Sequence, residues 1–217
     1  MSALDKEFWI SAVDKLVFAF EESELQLCSY DGAIGDGDHG TSMLHGFREA
    51  QKSLHDAHPT DVGEVICRTG EAFLEKVGGV TGIVFGSLFV AVGEGAAGLL
   101  DTDAATLYYM FALGLAAVKQ RGKATEGDKT MVDALSPAVA ALRTAAEERD
   151  TAEVALARGA QAAEVGMKAT VPMRAKVGRA RYQSEKGSGH IDAGAASVCL
   201  FFQTLSQAAV TRKLPPT

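Results

Sequence analysis

The sequence predicts an all-α fold, an up-down array of eight helices, on three observations. Apolar residues recur at helical rather than strand spacing along most of the chain. Asp and Thr stand repeatedly just ahead of these apolar stretches, where a short polar side chain can cap a helix. Neither sustained period-two alternation nor a β–α–β unit interrupts the pattern. Composition agrees, since the chain is 47% hydrophobic yet only 7% aromatic and rich in alanine, which favours closely packed helices.

The first helix runs from about Asp5 to Cys28, where Phe8, Val13, Leu16, Val17 and Phe20 approximate an i, i+3, i+4 stripe. A glycine-rich break precedes the second, Thr41 to Ala57. Pro59-Thr60-Asp61 marks the start of a third over Val62 to Val77. The fourth, Thr81 to about Ala97, follows Gly78-Gly79. Asp101-Thr102-Asp103 offers caps for a fifth reaching about Gln120, and the sixth is the alanine-rich segment Met131 to Glu148. Asp150-Thr151 caps a seventh to about Ala169, and Asp192 an eighth to about Val210. Helix faces carrying only Ala and Leu at this spacing are core.

The connections fall into two kinds. Those around Pro59, Asp103 and Asp150 are short and polar. Ser29–Gly40, Gly78–Gly82, Gly122–Thr130 and Gly178–Gly194 instead combine glycine with reactive side chains. The two kinds alternate, and in an up-down array alternate loops share one end. The four unusual loops are therefore expected to converge on one rim.

Asp31-Gly-Ala-Ile-Gly-Asp36-Gly-Asp38-His39-Gly40 is the most informative of them. A continuous helix would set Asp36 about 140° away from Asp31. Glycines at 32, 35, 37 and 40 argue instead for a tight loop that turns the carboxylates inward. Gathered carboxylates repel unless a cation neutralises them, and hard oxygen donors suit Mg²⁺ or Ca²⁺ rather than zinc. The literal GxGxxG spacing of Gly35 to Gly40 is a decoy, because a dinucleotide fold needs a strand upstream and amides free of acids. An EF-hand fails as well, with Phe47 standing where a bidentate Glu is required. The plain alternative is that these acids merely cap helices and turns. Gly78-Gly79-Val80-Thr81-Gly82 opens a helix with free amides and a hydroxyl suited to phosphate oxygens. Gly127-Asp128-Lys129-Thr130-Met131 puts a charged triplet before an apolar helix, and the segment from Gly178 to Asp192 adds cations. No GxxxxGK[ST] motif is present.

The formal net charge of −7 disfavours a nucleic-acid surface, which needs clustered Lys and Arg. It also means that any bound phosphate compound needs an intervening cation. Cys28, Cys67 and Cys199 are scattered and odd in number, so the expectation is buried thiols in a reducing cytosol. The longest apolar run, Gly78 to Leu100, is broken by glycines and Glu94, and the expectation is no membrane span. Met1 to Phe8 lacks the basic-then-apolar order of a signal peptide.

Together, Ile34-Gly-Asp-Gly-Asp-His-Gly40, Gly78-Gly-Val-Thr-Gly82, Gly127-Asp-Lys-Thr-Met-Val-Asp133 and Gly178-Arg179 through Gly189-His-Ile-Asp192 resemble a known family. It is the ADP/ATP-binding L subunit, or C-terminal domain, of dihydroxyacetone kinases, matched in order over nearly the whole chain. The resemblance implies a single domain over residues 1–217, a barrel of eight antiparallel amphipathic helices with nucleotide at one rim. It implies that Asp31, Asp36 and Asp38 hold two Mg²⁺ ions bridging the phosphates. His39, Thr41 and Ser42 fall in the family's phosphate-binding segment, and Val80 and Thr81 in its glycine-rich phosphate loop. Gly122 and Met131 match its adenosine contacts, while Arg179 and the stretch Asp192 to Gly194 complete the pocket. Three positions depart from the usual pattern: Ser42 replaces Asn, Thr81 replaces Ser, and Ala193 replaces Pro.

The activity so implied is phosphoryl transfer to a hydroxyl of a short ketose held on a separate K subunit, so the L subunit alone is expected to be inactive. In some members ADP is rephosphorylated in place by a phosphotransferase-system protein; in others ATP exchanges. A second reading is a non-catalytic Mg-nucleotide sensor that binds a transcription factor. A third, a ligand-free helical scaffold, leaves the glycine–carboxylate loops unexplained.

Overall fold

Aspartate caps lay out the chain. In the computed structural model, which describes residues 3–33, 35–178, 181 and 187–212, Asp5, Asp61, Asp103 and Asp192 each accept a hydrogen bond from the backbone N–H three residues on. Thr151 does the same for Val154. These residues open α1 (Lys6–Gly32), α3 (Val62–Lys76), α5 (Ala104–Gly122), α8 (Ala193–Thr211) and α7 (Ala152–Ala169). The remaining helices, α2 (His39–Asp56), α4 (Gly79–Glu94) and α6 (Val132–Glu147), begin without a side-chain cap bond. All three follow loops that the sequence marks as unusual.

Capping at α3 is reciprocal. Asp61 Oδ1 accepts from Glu64 N–H at 2.9 Å while Glu64 Oε2 accepts from Thr60 N–H at 2.8 Å. Removing such a cap costs about 1 kcal/mol. Asp61→Ala is therefore expected to lower unfolding free energy by about that amount in urea titration, with binding at the opposite loops unchanged.

Eight helices stand where the sequence expects them among the described residues, with shifted ends. α1 runs on to Gly32, carrying Asp31 in its last turn, and α4 starts at Gly79 and stops at Glu94. The early stop follows from a turn over Gly95 to Gly98, where Gly98 takes φ +76°. Two short strands went unread in the sequence, β1 (Leu4–Asp5) and β2 (Asp101–Thr102), which pair antiparallel. Two residues are too short for alternation to register. The pair is secured by buried Thr102, whose hydroxyl donates to Leu4 O and accepts from Trp9 Nε1–H, each at 3.2 Å.

Each helix packs against the next in sequence, and α8 packs against α1 as well as α7, so the packing order is cyclic. Inside lies a cluster of phenylalanines. Phe47, fully buried on α2, meets Phe20 of α1, Phe73 of α3 and Phe89 of α4 at ring-centroid separations of 4.7, 5.1 and 5.8 Å. Phe111, Phe201 and Phe202 extend the cluster through α5 and α8. A cavity of about 20 Å³ between Trp9, Phe89 and Phe201 has room for about one water. The interior offers no ligand site there.

The sequence reading passes over one apolar stretch. Ala193–Thr211 is long and apolar enough, by composition, to cross a membrane. In the fold 67% of that window is buried among its neighbours, as a central core helix requires.

Candidate functional site

The loop between α1 and α2 gathers its acids around one point. One carboxylate oxygen from each of Asp31, Asp36 and Asp38 lies within 4.8 Å of the others. Asp31, half-buried at the end of α1, organises the loop, with its Oδ2 accepting from Gly37 N–H at 2.8 Å and Asp38 N–H at 3.1 Å. Gly37 sits at φ +77°, a left-handed conformation that glycine adopts without strain. That turn folds Asp36 and Asp38 back toward Asp31.

The capping alternative is tested at Asp38, which occupies the N-cap of α2. Four other aspartates bond the third helical amide, but Asp38 makes no side-chain cap bond and its carboxylate is exposed. A cap residue that leaves its own helix uncapped and faces two other carboxylates has the wrong geometry for a purely structural role. The donor set is all oxygen, compact and partly exposed, which fits a hard divalent cation such as Mg²⁺.

His39 ties three helices together beneath this loop. Its ring is buried, with Nε2 2.8 Å from Ser197 Oγ on α8 and Nδ1 3.5 Å from Thr81 Oγ1 on α4. Burial pushes its pKa down to about 4, against the opposing pull of the Asp31 charge and the Ala193 backbone. The ring is thus neutral at pH 7, able to donate at one nitrogen and accept at the other. Thr81 lies in the first turn of α4 beside Val80, whose side chain is 72% exposed.

The α5–α6 loop is stitched by Asp133, which accepts from Gly127 N–H and Thr130 N–H at 2.5 and 2.8 Å. Met131, buried at the start of α6, touches the beginning of α8. A methyl added at Gly194 would stand 3.3 Å from Met131 Cβ and 3.2 Å from Asp192 Oδ2, so glycine allows this close approach. Asp192 caps α8 through Ala195 N–H at 2.8 Å. Burial pushes its pKa up to about 7, with Ala195 N–H and Lys129 opposing the rise and the Asp133 and Asp31 charges adding to it. The contact of His39 with Thr81 joins the α1–α2 loop to the start of α4, its contact with Ser197 joins it to α8, and the approach of Gly194 to Met131 joins α8 to the α5–α6 loop.

Not every residue named from the sequence faces those junctions. Thr41 turns its hydroxyl back to α1, donating to Glu24 Oε1 at 2.7 Å and lying 3.6 Å from Cys28 Sγ. Ser42 is half-buried one turn into α2, its N–H bonded to Asp38 O at 2.9 Å. Gly122 ends α5, with open space around it beyond Ala124 Cβ at 4.0 Å. Arg179 lies outside the described residues. Two partners escaped the sequence reading. Ser197 sits in an apolar helix, where a lone serine carries no signal, and Thr170 lies at the end of α7, its hydroxyl accepting from Asp192 N–H at 3.0 Å.

The profile of the DAK2 domain matches residues 33–207. The chain is 38% identical over 188 residues to the PEP-dependent dihydroxyacetone kinase, ADP-binding subunit DhaL of Escherichia coli (strain K12), covering 87% of this chain and 89% of that one. It is 37% identical over 185 residues to the PTS-dependent counterpart of Lactococcus lactis, covering 85% and 88%. Among solved structures it resembles the dihydroxyacetone kinase from C. freundii in complex with AMP-PNP and Mg²⁺, with a TM-score of 0.70 and 25% identity. That likeness covers 95% of this chain and 35% of the other, so the chain spans about a third of the larger kinase. The chain belongs to the DAK2-domain family, alongside the ADP-binding subunits of dihydroxyacetone kinases.

Proposed function

We propose that this chain is the nucleotide-binding subunit of a dihydroxyacetone-type kinase, passing a phosphoryl group from an adenine nucleotide to a short ketose on a partner K subunit. The observation that carries the reading is the three-aspartate cluster on a loop beside the α4 N-terminus, in a chain whose net charge is already −7. Asp31, Asp36 and Asp38 would hold two Mg²⁺ ions. Bound there, the metals would neutralise the phosphates that an acidic rim otherwise repels.

The chain's own residues position the nucleotide. In this reading the amides at the start of α4, around Val80 and Thr81, and those opening α2, from His39 to Thr41, meet phosphate oxygens, with the Ser42 hydroxyl beside them. The Thr41 hydroxyl is engaged with α1, so Thr41 contributes through its backbone. Gly122 and Met131 take the adenosine end, and Arg179, Asp192 and Gly194 complete the pocket. Little covalent chemistry falls to the protein, because phosphoryl transfer relies on in-line positioning and charge stabilisation. The cyclic packing order supports a barrel of eight antiparallel helices, with residues 1–217 acting as one nucleotide-binding domain. A cytoplasmic setting, with neither membrane nor nucleic acid as partner, completes the proposal. ADP rephosphorylated in place by a phosphotransferase-system protein is one route for recharging, and the Lactococcus lactis relative is named as PTS-dependent.

Native mass spectrometry of the purified chain should show retained ADP. Mixed with its K partner, ATP and dihydroxyacetone, the chain should yield the ketose phosphate, and none by itself. Phosphorylation by the chain alone, or none in the reconstituted complex with either ATP or a phosphotransferase-system donor, would overturn the assignment.

A further inference from the structure

Lys129 is the most deeply buried cationic side chain among the described residues, 3% exposed, and no step above uses it. Its backbone lies at φ +61°, a left-handed conformation uncommon for a residue with a Cβ. From the α5–α6 loop its side chain reaches across to the end of α7 and the segment before α8. There Nζ donates to Thr170 O at 2.6 Å and to His190 O at 2.5 Å. Thr170 is the C-cap of α7, so the ammonium sits at the negative end of that helix. His190 lies two residues before Asp192, the N-cap of α8.

The contacts close a circuit. From Lys129 they run to Thr170, whose hydroxyl accepts from Asp192 N–H. They continue through Asp192 to Gly194, which lies against Met131, two residues along the chain from Lys129. We propose that Lys129 is a positioning residue that welds the α5–α6 loop to the start of α8 and so holds Met131 against Gly194, the contact on which the nucleoside end of the site is built. This rests on the nucleotide-binding reading and extends it, dividing the site into a metal–phosphate end that does not depend on Lys129 and a nucleoside end that does.

Desolvation disfavours the charged ammonium while the nearby Asp192 and Asp133 favour it, as suits a buried lysine hydrogen-bonded to two backbone carbonyls. A residue serving stability alone would have no reason to affect one end of a ligand and spare the other. Lys129→Met keeps the length of the stem and deletes the donors. Lys129→Gly deletes them and also relieves the positive φ, giving a second variant if the first folds poorly.

The test is calorimetric titration of wild type, both variants and Asp36→Ala with ADP and with inorganic triphosphate, each in excess Mg²⁺. The inference expects either Lys129 variant to bind ADP at least about tenfold more weakly while binding triphosphate within about threefold of wild type. Asp36→Ala should weaken both ligands together. Equal losses for both ligands, no loss for either, or loss of helical content in both variants would overturn the inference and make Lys129 a residue of the fold. Failure of wild type to bind ADP at all would instead overturn the nucleotide-binding reading beneath it.

Discussion

Replacing Asp36 or Asp38 by alanine should weaken Mg-dependent ADP binding by about 100-fold or more, since altering even an outer-shell residue of a metal site typically costs 10–100-fold. That factor corresponds to about 2.7 kcal/mol. Helical content should stay near wild type, because both side chains are exposed and Asp38 makes no capping bond to α2. Asp31 is a poorer probe. Its Oδ2 accepts from Gly37 and Asp38 N–H, so Asp31→Ala unravels the loop as well as removing a ligand. Calorimetry with circular dichroism separates the two effects. Unchanged ADP affinity in Asp36→Ala and Asp38→Ala would remove the metal role from the cluster.

The largest expected loss of stability lies in the core. Phe47→Ala should destabilise the fold by about 3–5 kcal/mol, the range for deleting a buried phenylalanine whose surroundings relax only in part. Phe47 is 0% exposed and packs against rings from three other helices, leaving its neighbours little freedom to collapse into the void. Denaturant unfolding measures this directly. A change under about 1 kcal/mol would mean that the cluster is loosely packed. Phe47 lies two turns beyond His39 on α2, so the same variant is also expected to loosen the site.

Much of this was legible in the sequence, for identifiable reasons. Helices α3, α5, α7 and α8 announce themselves because Asp61, Asp103, Thr151 and Asp192 carry both the capping chemistry and the boundary. Ends set by glycine turns were less legible, as at α4, where Gly79 could as readily have belonged to the loop. The carboxylate cluster was readable because glycines at 35 and 37 make a helical continuation of α1 unfavourable. The contacts of His39 were not, because Ser197 lies 158 positions away in an apolar helix. Nor was the reversal of Thr41 toward Glu24, which depends on how α1 and α2 cross. Lys129 stood in view as part of a charged triplet, yet its burial depends on where α7 ends. Local chemistry shows in a sequence, while partners that meet only through packing do not.

The central claim is that a cation held by Asp31, Asp36 and Asp38 lets an acidic protein bind a nucleotide of the same sign. Titrating the purified chain with ADP, once in Mg²⁺ and once in EDTA, tests it most directly. The account predicts tight binding with Mg²⁺ and binding at least about 100-fold weaker in EDTA. Equal affinity in the two solutions would contradict it.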